Sequence, residues 1–93
     1  MRIILNFDKT TSRLSGNPYG KEVYHSQVED KYTDYSEPLV LVFPDHIKRV
    51  AFSFVQGFFT DLVSKIGFEG IANNITIEAG SQKVIDQIIN RIE

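Results

Sequence analysis

The sequence predicts an α/β domain, and three observations support that prediction. Segments rich in β-branched and aromatic residues alternate with segments whose apolar residues recur at helical spacing. One of the β-rich segments is a continuous apolar run, which is typical of a strand at the centre of a sheet. The order strand, helix, strand, helix, strand, helix favours parallel strands joined through helices. We therefore expect a small sheet of three to four strands with helices packed on it.

Three segments are the predicted strands. Residues 38–43 read PLVLVF and form the apolar run expected at the centre of the sheet. Residues 2–7 read RIILNF and place Ile4 on the face opposite the other apolar residues, so we expect both faces of this strand to be covered. Residues 74–79 read NITIEA and alternate between apolar and polar side chains, which indicates a half-exposed strand at an edge.

Three helices follow these strands. The first is expected to begin at Asn17-Pro18, because asparagine is a favoured cap and proline is tolerated in a first turn. The second should run from Ser53 to Ile66 and end at Gly67 in a left-handed conformation. The third should follow a Gly80-Ser81 cap. The apolar stripe expected to bury the second helix consists of Phe54, Val55, Phe58, Phe59 and Leu62.

Length and composition narrow the classes of function. Ninety-three residues are enough for one domain, so we take 1–93 as a single domain. A net charge of −2 provides no basic excess for nucleic-acid binding. The absence of cysteine excludes a disulfide framework and thiolate metal sites, and it fits a cytoplasmic protein. No apolar run approaches the roughly 18 residues of a membrane span, so we predict no membrane partner.

The sequence contains no pattern that indicates catalysis. The two histidines, His25 and His46, have no neighbours at metal-ligand spacing. Ser53 lacks the flanking glycines of a nucleophile elbow, and no phosphate-loop or dinucleotide fingerprint occurs. We therefore predict no catalytic residues, no metal site, no cofactor and no enzymatic activity.

Several segments in succession carry a family resemblance. A hydrophobic strand ends near an aspartate, a Ser-Phe turn opens a helix that ends in Gly-Phe, and a short strand and a last helix follow. These segments read LVLVFPDHIKRV, AFSF, VQGFFTDLVSKIGFEG, NITIEA and SQKVIDQIINRI. Over about residues 12–92 the chain resembles bacterial STAS-like domains, small relatives of the anti-sigma-factor antagonists. The resemblance implies a non-enzymatic, regulatory protein-interaction domain of a partner-switching system.

The resemblance also points to one hydroxyl group. In STAS domains, a serine at the start of this helix can be phosphorylated by a partner kinase with a histidine-kinase-like ATPase fold. Ser53 matches that serine by position, so the resemblance implies that Ser53 is the phosphoacceptor and that such an ATPase is the partner. Ala51 and Phe52 depart from the family, which usually carries an acidic residue and another serine there.

Without the family resemblance, the residues themselves permit two interpretations of Ser53. A helix N-terminus presents N–H groups and a positive partial charge, so it tolerates a phosphate. Serine is also a preferred N-cap, a role that requires no further function. The helical stripe places Ser53 on the polar side although phenylalanines flank it. Both interpretations remain open at the level of sequence.

The predicted binding surface lies at the carboxyl end of the central strand, where ligands and partners of open α/β sheets tend to bind. It continues along the polar side of the second helix. The predicted partner-binding residues are Asp45, His46, Lys48, Arg49, Gln56, Gly57 and Thr60. An alternative function is a small-ligand or anion-binding domain that uses the loop 12–18, in which Arg13, Ser15 and Gly16 precede a helix start.

Overall fold

The computed structural model describes residues 1–92, which form two parallel sheets and the helices packed on them. In chain order the elements are β1 (Arg2–Ile4), β2 (Arg13–Leu14), α1 (Asn17–Tyr24), a π-helical turn (His25–Glu29), β3 (Leu39–Val42), β4 (Arg49–Val50), α2 (Phe52–Asn74), β5 (Ile75–Glu78) and α3 (Gln82–Ile89). The predicted α/β class and the order of its six main elements are confirmed.

The larger sheet has β3 at its centre, with β1 and β5 paired in parallel on either side. The register aligns Ile3, Leu41 and Ile77 across the three strands, and all three side chains are buried. The central position of PLVLVF and the edge position of NITIEA are therefore confirmed. Ile4 points to the opposite face and is 62% exposed. The expectation that both faces of β1 are covered is wrong, because the helices bury only one face of this sheet.

The second sheet consists of β2 and β4, two residues each, and was not predicted. It aligns Arg13 with Arg49 and Leu14 with Val50 in a parallel pair. Leu14 and Val50 are completely buried, so the short ladder is anchored in the core. A strand of two residues is too short to produce a periodic pattern, and the polar segment around β2 resembles a loop.

Helix α2 buries the predicted apolar stripe, and it begins at Phe52, one residue before Ser53. At Gly67 the backbone angles are φ 70° and ψ 174°, so the first helical segment ends where predicted. Helical turns resume after this kink and continue to Asn74, a segment that was not predicted. Although α2 has 23 residues, no helix within residues 1–92 combines the length and the apolar character that a membrane crossing requires.

The starts of the other two helices agree with the sequence, although only one of their two predicted caps does. Helix α1 begins at Asn17, but its cap residue is Gly16, whose φ of 100° favours glycine, and no side chain caps it. Helix α3 follows Ser81, whose Oγ accepts a hydrogen bond from the backbone N–H of Val84 at 3.3 Å. The predicted cap of α3 is therefore confirmed, whereas the predicted capping role of Asn17 is wrong.

Helices α1 and α2 cross with their backbones in contact. Gly20 and Gly57 are both buried at this crossing. A Cβ atom added at Gly20 would lie 2.7 Å from the backbone nitrogen of Phe58, and one added at Gly57 would overlap the carbonyl group of Asn17. The two glycines thus permit an approach that a larger residue would prevent, and this approach sets the start of α1 beside the start of α2.

Candidate functional site

Ser53 connects the starts of the two crossing helices. It is the second residue of α2, and the cap residue is Ala51, which has an extended backbone and no capping side chain. The interpretation of Ser53 as the N-cap is therefore wrong. Its Oγ instead accepts a hydrogen bond of 2.9 Å from the backbone N–H of Gly16, and the contact is partly buried. This bond joins positions 37 residues apart and ties the entry of α1 to the entry of α2.

The start of α2 is electropositive. No side chain caps its first turn, and that turn contains no acidic residue. The first N–H groups of a helix have no intrahelical acceptor, and the aligned peptide dipoles add a positive partial charge. Lys48 and Arg49, both exposed, lie in the chain just before this turn. A negative group on Ser53 would therefore meet favourable surroundings.

Most of the predicted partner-binding residues lie at the surface. Asp45, Lys48, Arg49, Gln56 and Thr60 are exposed, and His46 is partly buried. Gly57 is the exception, because it is buried under α1 against Asn17 and offers no side chain to a partner. The polar side of α2 is consequently shared between solvent and the first helix.

His46 is held near the segment that follows β1. Its Nε2 atom is buried and has no hydrogen-bond partner within residues 1–92. Hydrogen bonds from Thr10 and, to a smaller extent, the charge of His46 hold the pKa of Asp8 below its ordinary value. His46 therefore lies in the neighbourhood of Asp8, a proximity that the sequence did not indicate.

The predicted partner-binding residues line two different cavities, one on each side of the start of α2. Gly57 and Thr60 line a cavity of about 290 Å³ on the side of α1. Arg49 lines a different cavity, of about 440 Å³, together with Arg13 and Arg91. The sequence did not reveal the contribution of Arg91, because this residue is far from β2 and β4 along the chain.

Arg13, Ser15 and Gly16, the loop residues of the alternative anion site, contact different parts of the molecule. The N–H group of Gly16 donates to Ser53, and its carbonyl group accepts from the N–H of Gly20. Arg13 pairs with Arg49 in the short sheet, and neither Ser15 nor Gly16 lines the cavity that Arg13 lines. These three residues therefore do not converge on one cavity.

Comparisons of the chain with protein-family models, with curated proteins and with solved structures found no match. Among residues 1–92, no group of three or more His, Cys, Asp and Glu side chains is placed to hold a metal ion. The arguments for function therefore start from the junction of Ser53 with Gly16 and from the surfaces on either side of it.

Proposed function

We propose that this chain is a non-enzymatic, regulatory protein-interaction domain of the STAS-like type, in which Ser53 controls the binding of a protein partner. The hydrogen bond between Ser53 Oγ and the Gly16 N–H carries this proposal. Because one hydroxyl links the starts of α1 and α2, a chemical change at that hydroxyl acts on the surface that both helix starts form.

Phosphorylation is the proposed change. A phosphate adds nearly two negative charges and three acceptor oxygens. The uncapped first turn of α2 and the N–H of Gly16 supply donors for these oxygens, and Lys48 and Arg49 add positive charge nearby. The fold should therefore tolerate the phosphate. A partner packed flush against Ser53 should not, because it would have to bury the new charges.

The proposed partner is a kinase with a histidine-kinase-like ATPase fold, as the family resemblance implies. The surface offered to it includes the exposed side chains of Lys48, Gln56 and Thr60, which precede and follow Ser53 along the chain. Tyr19 extends this surface on α1: it is 39% exposed, and its ring packs 5.6 Å from that of Phe54. A partly exposed tyrosine on a rigid support is a residue type enriched at protein interfaces.

We place this function in the cytoplasm, where a partner kinase has access to ATP and where a chain without cysteine needs no oxidising compartment. Binding rather than catalysis is proposed because the family resemblance implies it and because the polar side chains before and after Ser53 are exposed or bonded to the backbone. Lys48 and Gln56 are solvated, and the Thr60 hydroxyl donates to the Gln56 carbonyl at 2.6 Å.

Affinity capture with three immobilised proteins tests the proposal: the native chain, Ser53→Asp and Ser64→Asp. Ser64 is an exposed serine farther along α2, so Ser64→Asp adds the same charge away from the junction. We expect one protein from the source cells to be retained by the native chain and by Ser64→Asp but released by Ser53→Asp. If no retained protein distinguishes the two aspartate variants, the proposed switch is wrong.

A further inference from the structure

The short β2–β4 sheet places two arginines side by side. Arg13 and Arg49 are register partners, and both are exposed on the same face of the ladder. Neighbouring strands lie about 4.8 Å apart, so the two side chains leave the sheet next to each other. Like charges directly opposite on paired strands destabilise a sheet. An anion that binds both guanidinium groups would remove this repulsion.

A third arginine, Arg91, reaches the same place from the turn that follows α3. Gln87 accepts a hydrogen bond from the Val50 N–H through its Oε1 at 3.0 Å, and Arg91 donates through Nη1 to the Val50 carbonyl at 2.7 Å. These two bonds satisfy the edge of β4 that faces away from β2. They also fix the guanidinium group of Arg91 beside the strand that carries Arg49, while its other N–H groups can serve another acceptor.

The three arginines have no acidic partner among residues 1–92. The ion pairs in that part of the chain join other groups, and none places a carboxylate within 4.0 Å of Arg13, Arg49 or Arg91. Asp86 lies on α3, five residues before Arg91, but its carboxylate accepts a hydrogen bond from Gln82 at 2.9 Å. A chain with a net charge of −2 thus gathers at one place three arginines that have no carboxylate partner within residues 1–92.

These arginines line a cavity of about 440 Å³ that also has an aromatic wall. Phe52, the first residue of α2, is 47% exposed although it is a large apolar side chain. The complete lining is Arg13, Arg49, Ala51, Phe52, Gln87 and Arg91. Planar guanidinium groups and an exposed phenyl ring therefore share one concave site whose volume suits a small ligand.

We propose that this cavity binds a nucleoside monophosphate, with the phosphate on the arginines and the base on the Phe52 ring. Arginine forks match the geometry of phosphate oxygens, and aromatic side chains stack on bases of any sequence. The three arginines meet at one cavity of an acidic chain, which favours one phosphate over the extended backbone of a nucleic acid. The proposal does not rest on the switch at Ser53: Ser53 does not line this cavity, although Arg49 takes part in both proposed sites.

Calorimetric titration of the full chain tests the proposed nucleotide site. AMP and GMP are the ligands, and inorganic phosphate and adenosine are titrated in separate experiments. We expect one nucleotide site, with phosphate and adenosine each binding at least about tenfold more weakly. Arg13→Gln should weaken nucleotide binding about tenfold or more. Phe52→Ala should weaken it about fivefold or more without changing phosphate binding. Arg2→Gln is the matched control, because Arg2 is an exposed arginine on the other sheet.

Three outcomes would overturn the proposal. The first is the absence of nucleotide binding at millimolar concentration to a chain whose circular dichroism is native. The second is an equal loss in Arg2→Gln and Arg13→Gln, which would mean attraction by net charge alone. The third is displacement of the nucleotide by a single-stranded oligonucleotide that binds far more tightly and with steep salt dependence, which would indicate a nucleic-acid site.

Discussion

Gly57 of α2 lies directly against Asn17 of α1, so closely that a Cβ atom at position 57 would overlap the Asn17 carbonyl group. This contact fixes the position along each helix at which the two helices cross. It also brings Gly16, the cap residue of α1, within 2.9 Å of the Ser53 hydroxyl. The junction proposed as a switch is therefore a consequence of close glycine packing between two helices.

Gly57→Ala should destabilise the fold by about 2–3 kcal/mol, because the new methyl group meets backbone atoms that cannot rotate away. On an isolated helix the same substitution would stabilise by about 1 kcal/mol. Urea unfolding measures the difference. Gln56→Ala, one position earlier and exposed, is the control and should change stability by no more than about 0.5 kcal/mol. A neutral Gly57→Ala would show that the helices do not pack this closely.

Substitutions of Ser53 should separate its structural role from its charge. Ser53→Ala leaves the N–H of Gly16 without an acceptor in a partly buried position, so we expect a loss of about 1–2 kcal/mol. Ser53→Asp keeps an acceptor and adds a negative charge at a helix N-terminus, so its stability should remain near that of the native chain. Thermal and urea unfolding provide both values. An aspartate variant less stable than the alanine variant would contradict this account of the junction.

Phe58 should be the most costly aromatic side chain to remove from α2. It is completely buried, and its ring lies 4.9 Å from that of Phe59 and 5.5 Å from that of Tyr24. Phe58→Ala should lower the free energy of unfolding by about 3–5 kcal/mol, through lost burial and the cavity left behind. Phe68→Ala is the control: Phe68 is 48% exposed and should cost about 1 kcal/mol or less. Similar losses at both positions would contradict the assigned core.

Tyr24 should make the fold sensitive to alkali. Its hydroxyl is buried without a hydrogen-bond partner within residues 1–92, and burial raises the pKa of Tyr24 above its ordinary value of about 10. The pKa of Tyr24 is higher in the folded than in the unfolded chain. The free energy of unfolding therefore keeps its full value below about pH 10 and falls as the pH rises above it. Burial also raises the pKa of Tyr32, which adds to the same trend.

Tyr24→Phe removes the unpaired hydroxyl, so it should stabilise the protein by about 1 kcal/mol at pH 7 and reduce the loss between pH 9 and pH 11. Urea midpoints at these pH values provide the measurement. Tyr19→Phe alters an exposed tyrosine and should leave the alkaline loss unchanged. If both variants follow the native pH profile, the Tyr24 hydroxyl is not buried as described.

The elements that could be predicted from the sequence are those long enough to show a pattern of apolar residues. Strand β3 was placed at the centre because its apolar run is continuous, and α2 was recognised from its apolar stripe. The short β2–β4 ladder could not be predicted, since its pairing depends on long-range contacts rather than periodicity. The exposure of Ile4 was missed because apolar residues on both faces of a strand do not show whether a second layer covers them.

The candidate sites were only partly predictable for a related reason. Ser53 was found from its position at a helix start, but its acceptor role toward Gly16 depends on how α1 and α2 cross. A signal for this crossing was present in the sequence: Gly20 and Gly57 each weaken a helix, and such glycines often permit close packing. Arg91 gave no comparable signal, because only the docking of α3 on β4 brings it to Arg13 and Arg49.

The most direct test of the central claim is the dissociation constant of the captured partner for native protein, Ser53→Ala, Ser53→Asp and Ser64→Asp. We predict that Ser53→Asp weakens binding by more than about tenfold, or about 1.4 kcal/mol. Ser53→Ala and Ser64→Asp should bind within about threefold of the native chain. Equal dissociation constants for Ser53→Asp and Ser64→Asp, measured on proteins of native stability, would contradict the claim that the Ser53 hydroxyl controls partner binding.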